Sequence, residues 1–528
     1  MKLLKRRHIA LVLGQALLVM NAGAAAADGF DHIDHQFAQA KTGKSKSTDL
    51  PLSKDELFGT TPAPAKPAPK PNLPQSKDEL FGTTPSKPAP AAAPASRDEL
   101  FGITPPAQPA APAQTTALPA VDTAQNSIKW SGFFKEELAY TYAEPSHWSR
   151  AVSRLQINGQ GNLEGLKYKI SARIDADPVY MTSDFYPDRV QDDQQLDFFL
   201  RENYVDFSAA GLEFRIGRQQ IVWGEVVGLF FADVVSARDM REFILPSFDI
   251  LRIPQWAARA EYFEGDFHAE AIWIPVQTVD EIGEFGADFY PAGRIGEAAV
   301  GPNVRFASQD EPSHTLANSA YGLRMNTLMN GWDLAAFYYR SFSTTPAFYR
   351  EVQGADTVFT PRHGRIWQAG STLSKDFGDF VLRAEAVYTK GQAYNVTTLT
   401  DADGVQKRNS FDYVLSFDFS LPHDTRLNVQ AFQRIVSGDE DDIAPRTDGV
   451  GGSILLSTKI TPTLEPQILW IQSFSGGADR LIRPRLNWYF DRNATLAFGA
   501  DIFAGPRDRF FGNFANRDRV YAELRYDF

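Results

Sequence analysis

Cysteine is absent from all 528 residues. That excludes disulfides, cysteine-ligated zinc, iron–sulfur centres and covalent haem attachment. A secreted soluble domain often relies on disulfides, whereas a closed β-barrel needs none, because its hydrogen-bond ladder has no free edge. Past the first few dozen residues there is no run of about 18 apolar residues, so no transmembrane helix is expected. Histidine is sparse: after residue 127 only His147, His268, His314, His363 and His423 occur. None adjoins a nucleophile motif, and a glycine-rich phosphate loop and a His-Glu-x-x-His zinc motif are both missing. The expectation is therefore no enzyme, no catalytic residues, no cofactor and no resident metal. The formal net charge of -12 argues against a nucleic-acid partner.

The N-terminus is more informative. Lys2, Lys5, Arg6 and Arg7 precede an apolar stretch from Ile9 to Met20, and small residues from Ala22 to Ala27 offer an Ala-x-Ala cleavage site. This order reads as a secretory signal peptide over residues 1–27. Its removal takes four cations and no acids, so -12 becomes -16. Residues 28–127 are dominated by Pro, Ala, Lys, Ser and Thr, a composition expected to stay disordered, with polyproline character, as a periplasmic arm.

Within the arm, Ser53-Lys54-Asp55-Glu56-Leu57-Phe58-Gly59 recurs at Ser76–Gly82 and, with Arg97 for Lys, at Ser96–Gly102. Ser with Glu three residues on is a capping box, so each copy suits one helical turn presenting Leu57 and Phe58, Leu80 and Phe81, or Leu100 and Phe101. Either these pairs engage a periplasmic protein partner three times, gaining by avidity, or they are a duplicated spacer. Asp31, His32, Asp34 and His35 could share a divalent ion, but a solvated polar tail explains them as well.

From Trp130 the pattern changes to period two. Val520, Ala522, Leu524, Tyr526 and Phe528 alternate with Arg519, Tyr521, Glu523, Arg525 and Asp527. The same rhythm recurs at 166–176, 411–419, 482–490 and 495–502, in runs close to the roughly 9–11 residues of a tilted membrane strand. Tight connections are expected at Asn162–Gly165, Ala209–Gly211, Glu264–Asp266, Asn330-Gly331, Asp376–Asp379, Pro422–Asp424, Thr461–Thr463 and Asp491–Asn493. Longer segments alternate with them at 178–197, 219–255, 276–317, 342–362, 391–408, 438–449 and 504–517. The reading is all-β: over residues 128–528, a transmembrane antiparallel β-barrel of about 18 strands, with 16 possible, in the outer membrane of a Gram-negative bacterium. Outer-membrane lipid and lipopolysaccharide are then its surroundings.

The inward face would carry ions of both signs. Arg173, Arg215, Arg259, Arg383, Arg483 and Arg485 with Glu261 and Glu385 are candidate lumen residues. They either polarise a water channel or rigidify the wall as ion pairs. The 219–255 segment, with Arg218, Gln219, Trp223, Glu225 and Arg241, is long for a loop and is expected to enter the lumen as a constriction; the alternative is a cap. Ser236 and Asp239, with Pro246 behind, suit a short capped helix there. Gly438-Asp439-Glu440-Asp441-Asp442 either binds calcium or is simply solvated.

The runs Arg201-Glu202-Asn203-Tyr204-Val205-Asp206-Phe207, Gly217–Glu225, Arg241–Pro246 and Arg252-Ile253-Pro254-Gln255-Trp256 resemble a proteobacterial family catalogued as domain of unknown function 1302. The resemblance covers the barrel and not the arm. It implies an outer-membrane site and, from the neighbourhood of exporters of the resistance-nodulation-division (RND) type, transport of lipidic or apolar cargo; it supplies no catalytic residues. The expected function is a channel or transporter. The alternative is a non-conducting anchor or assembly scaffold whose arm binds a partner.

Overall fold

The computed structural model of the protein describes residues 128–528 apart from 227–229, 294–302, 399–400, 439–441, 445–448 and 476. The signal peptide and arm expected over residues 1–127, with the three repeats, lie outside the described residues.

Eighteen antiparallel strands close into a barrel: β1 Lys129–Thr141, β2 His147–Leu163, β3 Leu166–Ala176, β4 in two pieces (Leu196–Leu200 and Asn203–Ala209), β5 Leu212–Gln219, β6 Gln255–Glu264, β7 Phe267–Val276, β8 Ala320–Met329, β9 Trp332–Phe342, β10 Arg365–Asp376, β11 Phe380–Val396, β12 Val405–Leu421, β13 Thr425–Val436, β14 Gly449–Ser457, β15 Leu464–Ser473, β16 Asp479–Trp488, β17 Ala494–Ala504 and β18 Arg519–Asp527. Each pairs with its sequence neighbours, and β18 returns to β1 from Phe133 opposite Asp527 to Thr141 opposite Arg519. The last residue joins the seam: Gly132 N–H donates to the Phe528 carbonyl at 2.9 Å, and Phe528 N–H returns the bond at 3.0 Å. No edge is left unpaired around the ring, which is what a membrane-spanning sheet requires.

Turn chemistry explains the short end of the barrel. Glu164-Gly165, Ala210-Gly211 and Asn330-Gly331 each place two successive residues at positive φ, the geometry that matches the twist of a two-residue hairpin. All eight expected tight connections fall between consecutive strands at this end, where Lys129 begins and Phe528 finishes the wall. The long connections gather at the other end. There Ala347–Gln353, Asp356–Arg362 and Val304–Phe306 pair into a small separate sheet, backed by a cluster that includes Tyr180, Tyr186, Val190, Phe306, Phe348 and Phe359.

Alternation sorts the side chains. Leu155, Ile157, Ile170, Ile174, Phe198, Tyr321, Leu323, Tyr413, Leu415, Phe498, Leu524 and Tyr526 are exposed on the outer face. Arg154, Arg173, Glu270, Glu385, Asp412, Asp501 and Arg519 are buried inside. A soluble protein of this size would not expose apolar side chains so continuously; a hydrocarbon surround removes the penalty.

β4 breaks at Arg201-Glu202. The Asn203 side chain stands in for a strand residue there, accepting from Ser171 N–H at 3.2 Å and donating to the Ser171 carbonyl at 2.9 Å. Opposite the next residue, Tyr204, Gly217 takes φ of 132°, and a Cβ there would lie 2.3 Å from the Asn203 carbonyl oxygen. The bulge re-aims Arg201 into the interior, as bulges commonly do at barrel walls.

Candidate functional site

The connection from β5 to β6, residues 220–254, runs inside the barrel from one wall to the other. It leaves β5 through Gln219, which is fully buried and donates to the Ala257 carbonyl at 3.0 Å. Trp223 follows. Its indole packs at a tilt against Phe337 and edge-on against Tyr339 of β9, donates to Glu270 of β7 at 3.1 Å, and fits because Gly322 of β8 has no Cβ, which would otherwise approach to 2.7 Å. Burying an indole this completely is worth about 3–5 kcal/mol.

One turn on, Glu385 of β11 anchors the chain. Its carboxylate accepts the backbone N–H groups of Glu225, of Val226 at 2.6 Å and of Ala232 at 2.8 Å. Successive backbone donors converging on one anion form a nest. Glu225 itself meets Arg324 of β8 at 3.5 Å and the Thr372 hydroxyl of β10 at 3.3 Å. Burial, reinforced by the charge of Asp333, raises the Glu225 carboxyl above its ordinary value.

The segment then crosses to the opposite wall. Glu242 is gripped by Arg150 of β2 at 2.9 Å and Arg519 of β18 at 2.7 Å. Arg483 of β16 donates to the Leu245 carbonyl at 2.9 Å, Arg173 of β3 to Ile250 at 3.2 Å and Arg201 to Asp249 at 2.5 Å. Arg525 of β18 faces the Asp249 carboxylate at 3.4 Å. Within the segment Arg252 pairs with Asp233 at 2.9 Å, and Arg241 joins Asp239 of the segment to Asp197 of β4, each at 2.8 Å. Burial works to raise the Asp239 carboxyl, but Arg241 with Arg173 and Arg150 outweighs it and holds the group well below the usual range. Wall cations thus meet the acids and carbonyls of residues 242–250, while the 223–232 half is held by β7–β11.

The expected helix over Ser236–Pro246 does not form. The Ser236 hydroxyl donates to the Ile221 carbonyl at 3.0 Å, and Asp239, though it accepts from the Arg241 backbone N–H at 3.3 Å, has both oxygens held by the Arg241 guanidinium, so only a turn forms there. Ala237–Arg238 pairs instead with Arg252–Ile253, and Phe243 adopts φ of 52° among Phe289, Phe510 and Phe514. The helix lies one step later, Phe248–Leu251, after Ser247.

Of the residues singled out from sequence, Arg173, Gln219, Trp223, Glu225, Arg241, Glu385 and Arg483 belong to this crossing. The others do not meet it. Arg215 pairs bidentately with Asp206 at 2.7 and 2.8 Å, Arg259 with Glu261 at 2.5 Å, and Arg383 with Asp418, all along the wall. Arg485 pairs with Glu523 at 2.7 Å beside a cavity. Arg218 is half-buried, with its Nε unbonded among the described residues. Sequence reasoning missed Arg150, Glu242 and Arg519. Glu242 stands inside a motif that was noticed, but nothing local names its partners. Of the acidic loop only Gly438 and Asp442 are described; the Asp442 carboxylate accepts from the Thr397 and Thr398 hydroxyls.

Two cavities flank the crossing. One, of about 210 Å³, opens toward the short turns and is lined by Leu245, Phe248, Arg485, Tyr489, Arg492 and Arg525 among others. The second, of about 410 Å³, lies toward the long loops and is lined by Phe230, Phe231, Met240, Phe432, Phe510 and Phe511 among others. Ile244 of the crossing and Ile471 of β15 border both.

Solved structures similar to this one include OccK8 (OprE) of Pseudomonas aeruginosa, at 9% identity over 76% of this chain and 98% of that one, with a TM-score of 0.46. OccK2 (OpdF) of Pseudomonas aeruginosa in complex with glucuronate gives 10%, 76%, 97% and 0.44. OmpF of Salmonella typhi in complex with daunomycin gives 11%, 76%, 98% and 0.37. No curated protein matches the chain. Residues 146–528, well over half of the sequence, match the family described as protein of unknown function DUF1302, and the protein belongs to that family.

Proposed function

We propose that the protein is an outer-membrane channel in which residues 220–254 form the constriction. The short turns and both ends of the wall face the periplasm, which would leave the arm periplasmic. The observation that carries this reading is the pair of cavities on either side of the crossing, which meet at Ile244 and Ile471. A solute would pass along the β14–β15 side, past Leu455, Leu469 and Ile471, and not along the walls whose arginines, Arg483 of β16 among them, hold the crossing. Phe230, Phe231, Phe432, Phe510 and Phe511 beside Asp233, Arg238, Asp412 and Arg434 in the larger cavity suit a cargo with an apolar body and a polar end, which is the form a lipidic cargo supplied by an RND-type exporter would take.

A second reading, a closed anchor whose arm engages a periplasmic partner through its Leu-Phe pairs, draws support from how fully the crossing fills the lumen. Conductance and solute flux of the mature chain in planar bilayers and liposomes separate the two, measured with and without residues 28–127. Flux that survives arm removal supports the channel. A wild-type chain silent to every solute, beside a variant lacking 224–250 that conducts, overturns it in favour of the anchor.

A further inference from the structure

We propose that Glu261, His268 and Glu270, on the inner face of the β6–β7 hairpin, bind a divalent transition-metal ion of the zinc class. The inference is independent of whether the barrel conducts.

The ladder creates the need for a cation here. Glu270 lies directly opposite Glu261, and Glu261 directly opposite Glu213 of β5, so three carboxylates stand abreast on adjoining strands; Arg324 of β8, opposite Glu270 on its other side, is turned to Glu225 at 3.5 Å. Like charges directly opposed across a ladder are destabilising. Arg259 answers one oxygen of Glu261, its Oε2, at 2.5 Å. The other oxygen, Oε1, faces His268 Nε2 at 3.1 Å. Glu270 takes the Trp223 indole N–H on a single oxygen, and Glu213 has no ion-pair partner among the described residues.

The imidazole is held as a ligand would be. His268 Nδ1 lies 2.7 Å from the side-chain oxygen of Asn326, which only accepts, so when Nε2 gives its lone pair to an ion the ring proton has a partner on Nδ1. Phe263 stacks on the ring at 4.3 Å and fixes its plane. Nε2 is thereby aimed at the carboxylates. A histidine oriented through one nitrogen by an outer acceptor, with the other turned to acidic groups, is the arrangement found around protein-bound metals. One ligand atom from each of the three residues lies within 4.8 Å of the others. Ligands at about 2.0–2.2 Å from a tetrahedral zinc sit about 3–4 Å apart, so closing on an ion needs side-chain adjustments of about an ångström.

Mixed nitrogen and carboxylate donors select zinc-like ions over calcium, which prefers oxygen alone. Glu261 and His268 keep 15% and 17% of their side chains accessible, enough for an ion to reach them from the lumen. Because Glu270 also holds Trp223, the ion would secure the start of the crossing segment.

The competing account is a simple His268–Glu261 ion pair. Zinc chloride titrated calorimetrically into the detergent-solubilised, untagged mature chain decides between them, with cobalt(II) absorption as a second readout. His32 and His35 in the arm are a separate potential source of binding, so the paired variant His32→Gln/His35→Gln is titrated alongside. The expected result is a binding event that the arm variant keeps, that His268→Gln weakens by at least about 100-fold, and that Asn326→Leu weakens about 10–100-fold. Retained heat-modifiable gel mobility shows that the variants still fold. No zinc binding by the arm variant, or equal binding by folded His268→Gln, overturns the site.

Discussion

Glu385 reaches from β11 to the backbone N–H of Ala232 at 2.8 Å, joining residues 153 positions apart across the interior of the barrel. The same carboxylate holds Glu225 and Val226, so one side chain grips the chain at two places along the crossing. Glu385→Gln would set an amide N–H₂ against donors that need an acceptor. Hydrogen bonds to a charged group contribute about 1.5–3 kcal/mol, and that much stability should be lost. The expected outcome is a lower melting temperature in detergent and, if the segment is the constriction, noisier and larger conductance in bilayers. Unchanged melting and single-channel traces would show that the clasp is not what fixes the segment.

A prediction of the gate follows from Ile244, which borders both cavities while remaining on the surface of the crossing. Ile244→Ala should raise flux and Ile244→Trp should lower it, with melting changed by less than about 2 kcal/mol in either variant, since the residue is only half-buried. Single-channel conductance and liposome swelling measure it. Movement of both variants in one direction, or of neither, would place the route elsewhere.

The contrast between what could and could not be seen beforehand has a physical origin. Asn330-Gly331 and Ala210-Gly211 were legible because a two-residue hairpin demands positive φ and few residues tolerate it. The strands were legible because lipid outside and polar groups inside impose a period of two. The 220–254 crossing was legible as a long and unusual connection, but its internal form was not: Ser236 gives its hydroxyl to the Ile221 carbonyl, and Asp239 is held chiefly by the guanidinium of Arg241. Pairings such as Glu242 with Arg519, 277 positions apart, were invisible for a further reason. Every inward strand position favours a polar group, so the pattern marks the lumen without saying which of its charges meet.

Asp177 caps the helix Pro178–Thr182, accepting from Val179 N–H at 3.0 Å and from Ala151 N–H at 3.1 Å. It is almost wholly buried just beyond the end of β3, and burial, only partly offset by Arg150, pushes its carboxyl up to about 7. The folded state thus keeps a proton that the unfolded chain releases near pH 4. A raised acid favours folding at low pH, and that contribution is lost as the pH climbs from about 4 to 7. Asp177→Asn can still accept through its amide oxygen but carries no charge to bury. The variant should match the wild type near pH 3 and melt progressively higher than it as the pH rises to 8. Parallel pH profiles of melting for the two proteins would refute the burial argument.

Gly217 provides the sharpest test of how the wall directs the interior. Its φ of 132° is a conformation that other residues rarely adopt, and any Cβ would stand 2.3 Å from the Asn203 carbonyl oxygen. Gly217→Ala must therefore either push β5 away from β4 or flatten the bulge at Arg201-Glu202. The second response would swing Arg201 off the Asp249 carbonyl and weaken the grip on the helix Phe248–Leu251. The two are separable: loss of heat-modifiable mobility on gels signals failed strand pairing. A folded barrel with a larger conductance than wild type signals a loosened crossing. A Gly217→Ala protein identical to wild type in both respects would mean that β4 and β5 have enough slack to absorb a side chain, and that the bulge does not direct Arg201.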